Sequence, residues 1–401
     1  MTEFDIDIGL TDEMKEVRET VHRFAAEVLR PAGIELDRLP DPADVTADGS
    51  VYWDVAKKYD SLGIGNPERY GPDLSPADRS LMHSVVLEEL AWGDIGLCIS
   101  MELRDIIAPW AQGFGKTEAF EFFDARQDVG CLALTEPDHG SDTVAFTESI
   151  FSDPSTRPGC RARKEGDEWV INGQKSAWCS NGPVATAVAL FCTLEDSTQG
   201  FKDGAAFLLP AELPGISRGK PLDKIGQRTL PQGEFFFSDV RVPEKFLMIQ
   251  GADAYAITWE TLLTLANSAM GQQLVGVARA AYDCALAYAK ERVQGGVPII
   301  EHQSVKARLF EMFNKVEAAR ALARRVAVAQ ASGGVPFQYA AASKVFVTRT
   351  AFEVSSEALG IFGGNGLCRE YPIEKIFRDA RAALVQDGDN EVLGLMAASR
   401  L

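Results

Sequence analysis

The chain has 401 residues, 46% of them apolar and 24% charged, with a formal net charge of −18. This length asks for two or three packed domains, and the composition is that of a globular chain rather than a disordered one. So acidic a chain repels nucleic acid and anionic membrane, and its seven cysteines, odd in number and without a CxxC pair, read as reduced thiols rather than a disulfide framework or a zinc site.

The N-terminus is acidic and has no long apolar run, so no signal peptide is expected. No stretch approaches the roughly 18 apolar residues of a membrane span, and the expected location is cytoplasmic. Residues 11–35 repeat apolar side chains at helical spacing, with Thr11 as N-cap. Residues 38–50 read as a loop, 51–62 and 76–92 as helices, and 98–128 as more of the same. Near Cys131 the texture changes to short apolar runs at 131–136, 185–194, 204–210 and 233–243. Gly166-Asp167 and Asn172-Gly173 are predicted turns on either side of WVI, the second a hairpin signal. After Pro243 the helical period returns over 252–292, 301–332, 336–359 and 371–383. The order is that of an α+β protein with helical 1–128, β-rich 129–243 and helical 244–401.

Generic signatures of nucleophilic hydrolysis, phosphate binding, zinc catalysis and Rossmann dinucleotide binding are absent. Five segments stand out instead. CLALTEPDHGSD (131–142) is a strand running into an exposed polar loop, where Thr135 and Ser141 present hydroxyls; by itself this is a common turn. WVINGQKSAWCSNG (169–182) puts Trp178 and Ser180 on a strand, where a tryptophan is ordinarily core. KIGQRTLPQGEFFFSDVRVP (224–243), the helices around GVARAAYDCALAYAKER (276–292) and EHQSVKARLFEMFNKVEAAR (301–320), and IFGGNGLCREYPIEKIFRDAR (361–381) follow in order. Arg378 and Asp379 read as a structural pair.

Together these segments resemble the acyl-CoA dehydrogenase family. The resemblance implies three domains: N-terminal helical, middle β-barrel-like, and a C-terminal four-helix bundle. It implies an FAD-dependent enzyme that takes two hydrogens from an acyl-CoA thioester to give a 2,3-enoyl product, passes electrons to an electron-transferring flavoprotein, and assembles as a homotetramer. Thr135 and Ser141 would lie beside the flavin ring and the thioester. Trp178 would pack on the isoalloxazine, Ser180 would hydrogen-bond near N5, and Arg292 would reach the FAD diphosphate of a neighbouring subunit. Gly363 and Gly364 would let backbone approach a phosphate or ring.

The family's base, a glutamate, falls on Asp387, one methylene shorter. The alternative base position is Ala266, which cannot serve, and Glu260 lies off that helical face. Gly295, Gly360, Asp389, Glu391 and Asn267 replace residues common in the family, a pattern that reads as erosion of the adenine side of the FAD site. Glu102 and Arg104 would sit near the floor of the acyl pocket, where charge is costly beside an alkyl tail. They would greet a polar or acidic acyl group, or satisfy each other; a polar or branched group is expected. The rivals are a monooxygenase or lyase-type member of the same fold, against which the retained acid at Asp387 argues, and a flavin-less binding scaffold, favoured by the eroded adenine contacts and disfavoured by the intact Thr135, Trp178 and Ser180.

Overall fold

The computed structural model describes residues 9–65, 73–145, 157–197 and 199–401; the acidic start of the chain, up to residue 8, lies outside them. The first helical run is not one α-helix. Helix α1 (Asp12–Phe24), with Thr11 Oγ1 capping Met14 N at 3.2 Å, passes through a π turn at Ala25–Leu29 into α2 (Arg30–Asp37). Helix α3 (Val51–Leu62) stops at Gly63, whose φ of +66° a side chain would disfavour. Helix α4 (Pro76–Gly93) is followed by α5 (Ile95–Arg104), α6 (Ile107–Gly113) and α7 (Thr117–Arg126). The expected continuous pattern over 98–128 is therefore cut into three short helices.

The strands are β1 (Gly130–Ala133), β2 (Arg161–Glu165), β3 (Glu168–Ser180), β4 (Ala187–Leu194), β5 (Gly204–Pro210), β6 (Ile216–Arg218), β7 (Gln232–Pro243) and β8 (Leu247–Gln250). They form one mixed sheet in the order β6-β7-β3-β2-β4-β5-β8, with β1 parallel to β4. Gly166-Asp167 is a two-residue turn between β2 and β3, as read from the sequence. Asn172-Gly173 is not a turn. The strand runs on through it beside β7, with a register slip between Ile171 and Gly173. Asn172 spends its amide on Asp239, donating to Oδ1 at 3.0 Å and accepting from the backbone N–H at 2.8 Å. Gly173, at φ +132°, lets β3 pass Cys160, whose Cα would lie 2.5 Å from an added Cβ. Tertiary pairing has overridden the local hairpin signal.

Five helices complete the chain: α8 (Ala252–Glu291), α9 (Gln303–Ala331), α10 (Phe337–Phe362), α11 (Ile373–Ala382) and α12 (Asn390–Ala398). Helices α8, α9 and α10 pack along one another, α11 closes on α10 and α8, and α4 lies along α8 and α9. One apolar core joins the N- and C-terminal helices, through residues such as Leu87, Leu274 and Val347. A second lies under the sheet and takes in Trp259 of α8 and Leu393 of α12. The sheet and the bundle thus meet at the start of α8 and at α12, next to the segment that carries Asp387.

Arg378 and Asp379 are structural, but not with each other. Arg378 binds Asp37 at 2.7 Å and Glu374 at 2.7 Å, while Asp379 takes Lys375 at 2.6 Å and the Gln227 N–H. No helix of the described residues is long and apolar enough to cross a membrane. No metal-holding cluster occurs among them, and all seven cysteines are free thiols.

Candidate active site

The loop after β1 is bound to β3 from both sides. Thr135 Oγ1 donates to Ser176 O at 3.1 Å, and Ser176 N donates to Thr135 O at 3.0 Å. Beneath them Glu136 and Lys175 form a buried ion pair at 2.6 Å; Glu136 Oε2 also takes the N–H of Gly159 at 2.6 Å, and Lys175 Nζ donates to Leu134 O at 2.8 Å. Those ties use up both buried charges and fix the height of Thr135. The loop then folds on itself, with His139 Nδ1 and Asp142 Oδ2 at 2.6 Å.

Between Lys175 and Cys179 the register of β3 with β7 slips. Trp178 leaves the sheet there with 57% of its surface exposed, whereas Trp169 and Trp259 are 3% exposed. The ordinary reading of a strand tryptophan as core fails at this position. Two residues on, Ser180 Oγ accepts from Gln232 Nε2 at 3.0 Å, so its own proton is available to another acceptor.

Asp387 sits between α11 and α12 at φ +53°, the left-handed region that a non-glycine residue seldom adopts. Its side chain meets solvent but is ringed by protein, and this desolvation raises its carboxyl above the ordinary range, with Lys344 pulling the other way. Its loop touches three elements. Asn267 Nδ2 of α8 donates to Asp387 O at 3.4 Å, Lys344 Nζ of α10 donates to Gly388 O at 2.7 Å, and Asp389 N donates to Ser141 Oγ at 3.0 Å. The last contact brings the Thr135–Ser141 loop and the Asp387 loop together. Glu260 faces outward and is held by Arg400 at 2.9 Å.

Glu102 and Arg104 lie on α5 but do not pair. Glu102 accepts from Tyr59 OH at 2.7 Å and stands 3.7 Å from His83 Nε2. Burial drives the Glu102 carboxyl up to about 7 and the His83 imidazole down to about 4. Near neutral pH His83 is therefore uncharged and Glu102 is part-protonated. Arg104 reaches Asp60 at 3.4 Å through Nη2 and acts on the buried Tyr52 hydroxyl, while its buried Nε and Nη1 make no well-directed hydrogen bond among the described residues.

Three family models cover the chain in order: acyl-CoA dehydrogenase N-terminal domain over 11–121, middle domain over 131–240 and C-terminal domain over 258–401. The chain is 31% identical over 403 residues to the mitochondrial short-chain specific acyl-CoA dehydrogenase of Mus musculus, spanning 98% of this chain and 91% of that protein. It belongs to the acyl-CoA dehydrogenase family. Butyryl-CoA dehydrogenase from Megasphaera elsdenii superposes with a TM-score of 0.84 at 28% identity, covering 98% of this chain and 99% of that one. The glutaryl-coenzyme A dehydrogenase–glutaryl-CoA complex superposes with a TM-score of 0.83 at 25% identity, covering 98% and 96%.

The chain is accordingly an FAD-dependent oxidoreductase acting on acyl-CoA. Its residues fit that cofactor. Trp178 offers an uncovered apolar face of ring size, and Ser180 an unused hydroxyl proton. A second group sits at the far ends of α8 and α10, where Tyr288 stacks on Phe362 at 4.0 Å. There Arg292 is exposed and forms no ion pair with any described residue, and Gly363 (φ +62°) and Gly364 face open space.

One reading of the departures is corrected. Asn267 is not at an adenine-side position; it is buried in α8 under the Asp387 loop. Asp389 is spent on capping α12, its Oδ1 accepting from Glu391 N at 2.9 Å. Sequence reasoning missed Lys344, which is fully buried. The available signal was a single cation in an otherwise apolar stretch, YAAASKVFV.

Proposed function

We propose that this enzyme removes the α-proton and a β-hydride from an acyl-CoA thioester to give a 2,3-enoyl-CoA, with Asp387 as the α-proton base and a polar or branched acyl group. The carrying observation is the meeting of the Asp387 loop with the Ser141 loop. It joins a carboxylate that desolvation makes more basic to the ledge bearing Thr135 and Trp178. Bound FAD would accept the hydride. Asp387 receives the proton, and its backbone N–H serves as a donor to the thioester oxygen as charge develops. Thr135, Ser141, Trp178 and Ser180 hold ring and thioester in register.

The buried guanidinium of Arg104 supports a polar or acidic acyl end, since such a group would offer well-directed acceptors to its Nε and Nη1. The likeness to a glutaryl-CoA dehydrogenase, whose named ligand ends in a carboxylate, points the same way. Arg104→Ala is expected to raise KM more than it lowers the melting temperature. A drop in stability with KM unchanged would make Arg104 only the partner of Asp60.

Arg292, Gly363 and Gly364 serve the diphosphate, shared between subunits of a homotetramer. Exposed Phe310, Phe346 and Leu367 on the C-terminal helical layer supply apolar surface for that assembly. The electron acceptor is an electron-transferring flavoprotein. The purified protein should be yellow, release FAD rather than FMN on denaturation, and scatter light as a tetramer. A colourless monomer after reconstitution would overturn this reading.

A further inference from the structure

Helix α10 carries a buried cation whose contacts are all neutral. Lys344 Nζ donates to Gly388 O at 2.7 Å and to Asn390 Oδ1 at 2.9 Å, and Asn390 Nδ2 donates onward to Thr348 Oγ1 at 3.0 Å. It makes no ion pair among the described residues, although its side chain is fully buried. A neutral amide would satisfy those two oxygens without the cost of desolvating an ammonium. What the charge adds is a field, and the carboxylates it faces are Asp387 and Asp389. Asp389 is already engaged as the cap of α12, and the other contacts of the loop, Asn267 from α8 and Ser141, are uncharged.

We propose that Lys344 is the positioning residue of the proton-abstracting carboxylate: it holds the peptide after Asp387 in its left-handed turn and places a buried positive charge beneath the Asp387 loop. This rests on Asp387 being the base. Three ties from three elements hold the loop, on Asp387 O, Gly388 O and Asp389 N, which is what a non-glycine residue at φ +53° needs to stay there. The electrostatics agree with the geometry. Desolvation raises the Asp387 carboxyl and Lys344 lowers it; desolvation brings Lys344 down to about 8, and Asp387 and Asp389 oppose that.

The test is the pH profile of flavin reduction by substrate in the holoenzyme carrying Lys344→Gln, which keeps a donor and removes the charge. Without the cation the Asp387 carboxylate is less favoured, so the acid limb should move to higher pH by on the order of one unit. The rate on that limb should fall about tenfold and recover above it. A lower melting temperature with the limb unmoved would overturn the proposal. Should Lys344→Gln fail to fold, the coupling is read from the other side, because linkage is reciprocal. In Asp387→Asn the Lys344 ammonium, followed by NMR, should titrate below its wild-type value; an unchanged titration overturns the proposal. If Asp387→Asn reduces flavin at the wild-type rate, the base assignment itself has failed. If it is slow and the Lys344 readouts do not move, only the role of Lys344 has failed.

Discussion

Asp387→Asn should slow flavin reduction by acyl-CoA by about 10²-fold or more, the usual worth of a general base, with FAD content unchanged. The amide keeps the shape and removes the basicity. The wild-type rate should fall as pH drops through the Asp387 carboxyl, whose titration lies above that of an ordinary aspartate because the site desolvates it. A carboxyl raised on folding weakens the fold wherever it is ionised, so the asparagine variant should melt at the same temperature or higher. A large loss of stability together with activity would mean that Asp387 holds the loop rather than the proton. Glu260 is a poor substitute, since Arg400 holds it in an outward-facing pair.

Glu88→Gln should cost about 3–5 kcal/mol of stability, the range for removing one partner from a buried ion network. Glu88 is 3% exposed on α4 and takes Arg279 of α8 at 3.0 Å, Arg320 of α9 at 3.0 Å and Arg324 at 3.5 Å. Its neighbour Glu89 binds Arg279 and, at 2.7 Å, His22 of α1. The network pins four helices at the junction of the N- and C-terminal layers, where Gly276 lets α8 approach the α4 backbone at Glu88. Desolvation alone would raise both carboxyls, but the arginines win and hold them below their ordinary range. Groups lowered on folding add stability that is complete above their unfolded range and disappears as pH falls through the folded range. Acid unfolding should therefore begin at higher pH in the variant. Thermal melts across pH check both effects, and a change under about 1 kcal/mol would show the network to be dispensable.

The helix–strand–helix order was legible because periodicity and caps are local: Thr11 caps α1 as read, and β4, β5 and β7 fall on the apolar runs. What failed depends on distant partners. Asn172-Gly173 turns in isolation but runs straight when β7 lies beside it. Glu102 and Arg104 are close in sequence, but two residues apart on a helix they point to different faces, and each finds its partner on α3. The loop carrying Thr135 and the loop carrying Asp387 were both found, but their contact through Ser141 and Asp389 joins residues 248 apart in sequence. Lys344 escaped because a lone polar residue in an apolar helix has no local partner to announce it, and Asn267 stood out only as a departure, not as a contact of the Asp387 loop.

The most direct test of the whole reading is anaerobic mixing of the FAD-loaded protein with a panel of linear, branched and carboxylate-ended acyl-CoA thioesters, following the blue flavin band and the thioester product. At least one thioester, polar or branched rather than long and linear, should bleach the flavin and appear as its 2,3-enoyl-CoA. A correctly folded, FAD-loaded enzyme whose flavin no thioester in the panel bleaches would contradict the assignment.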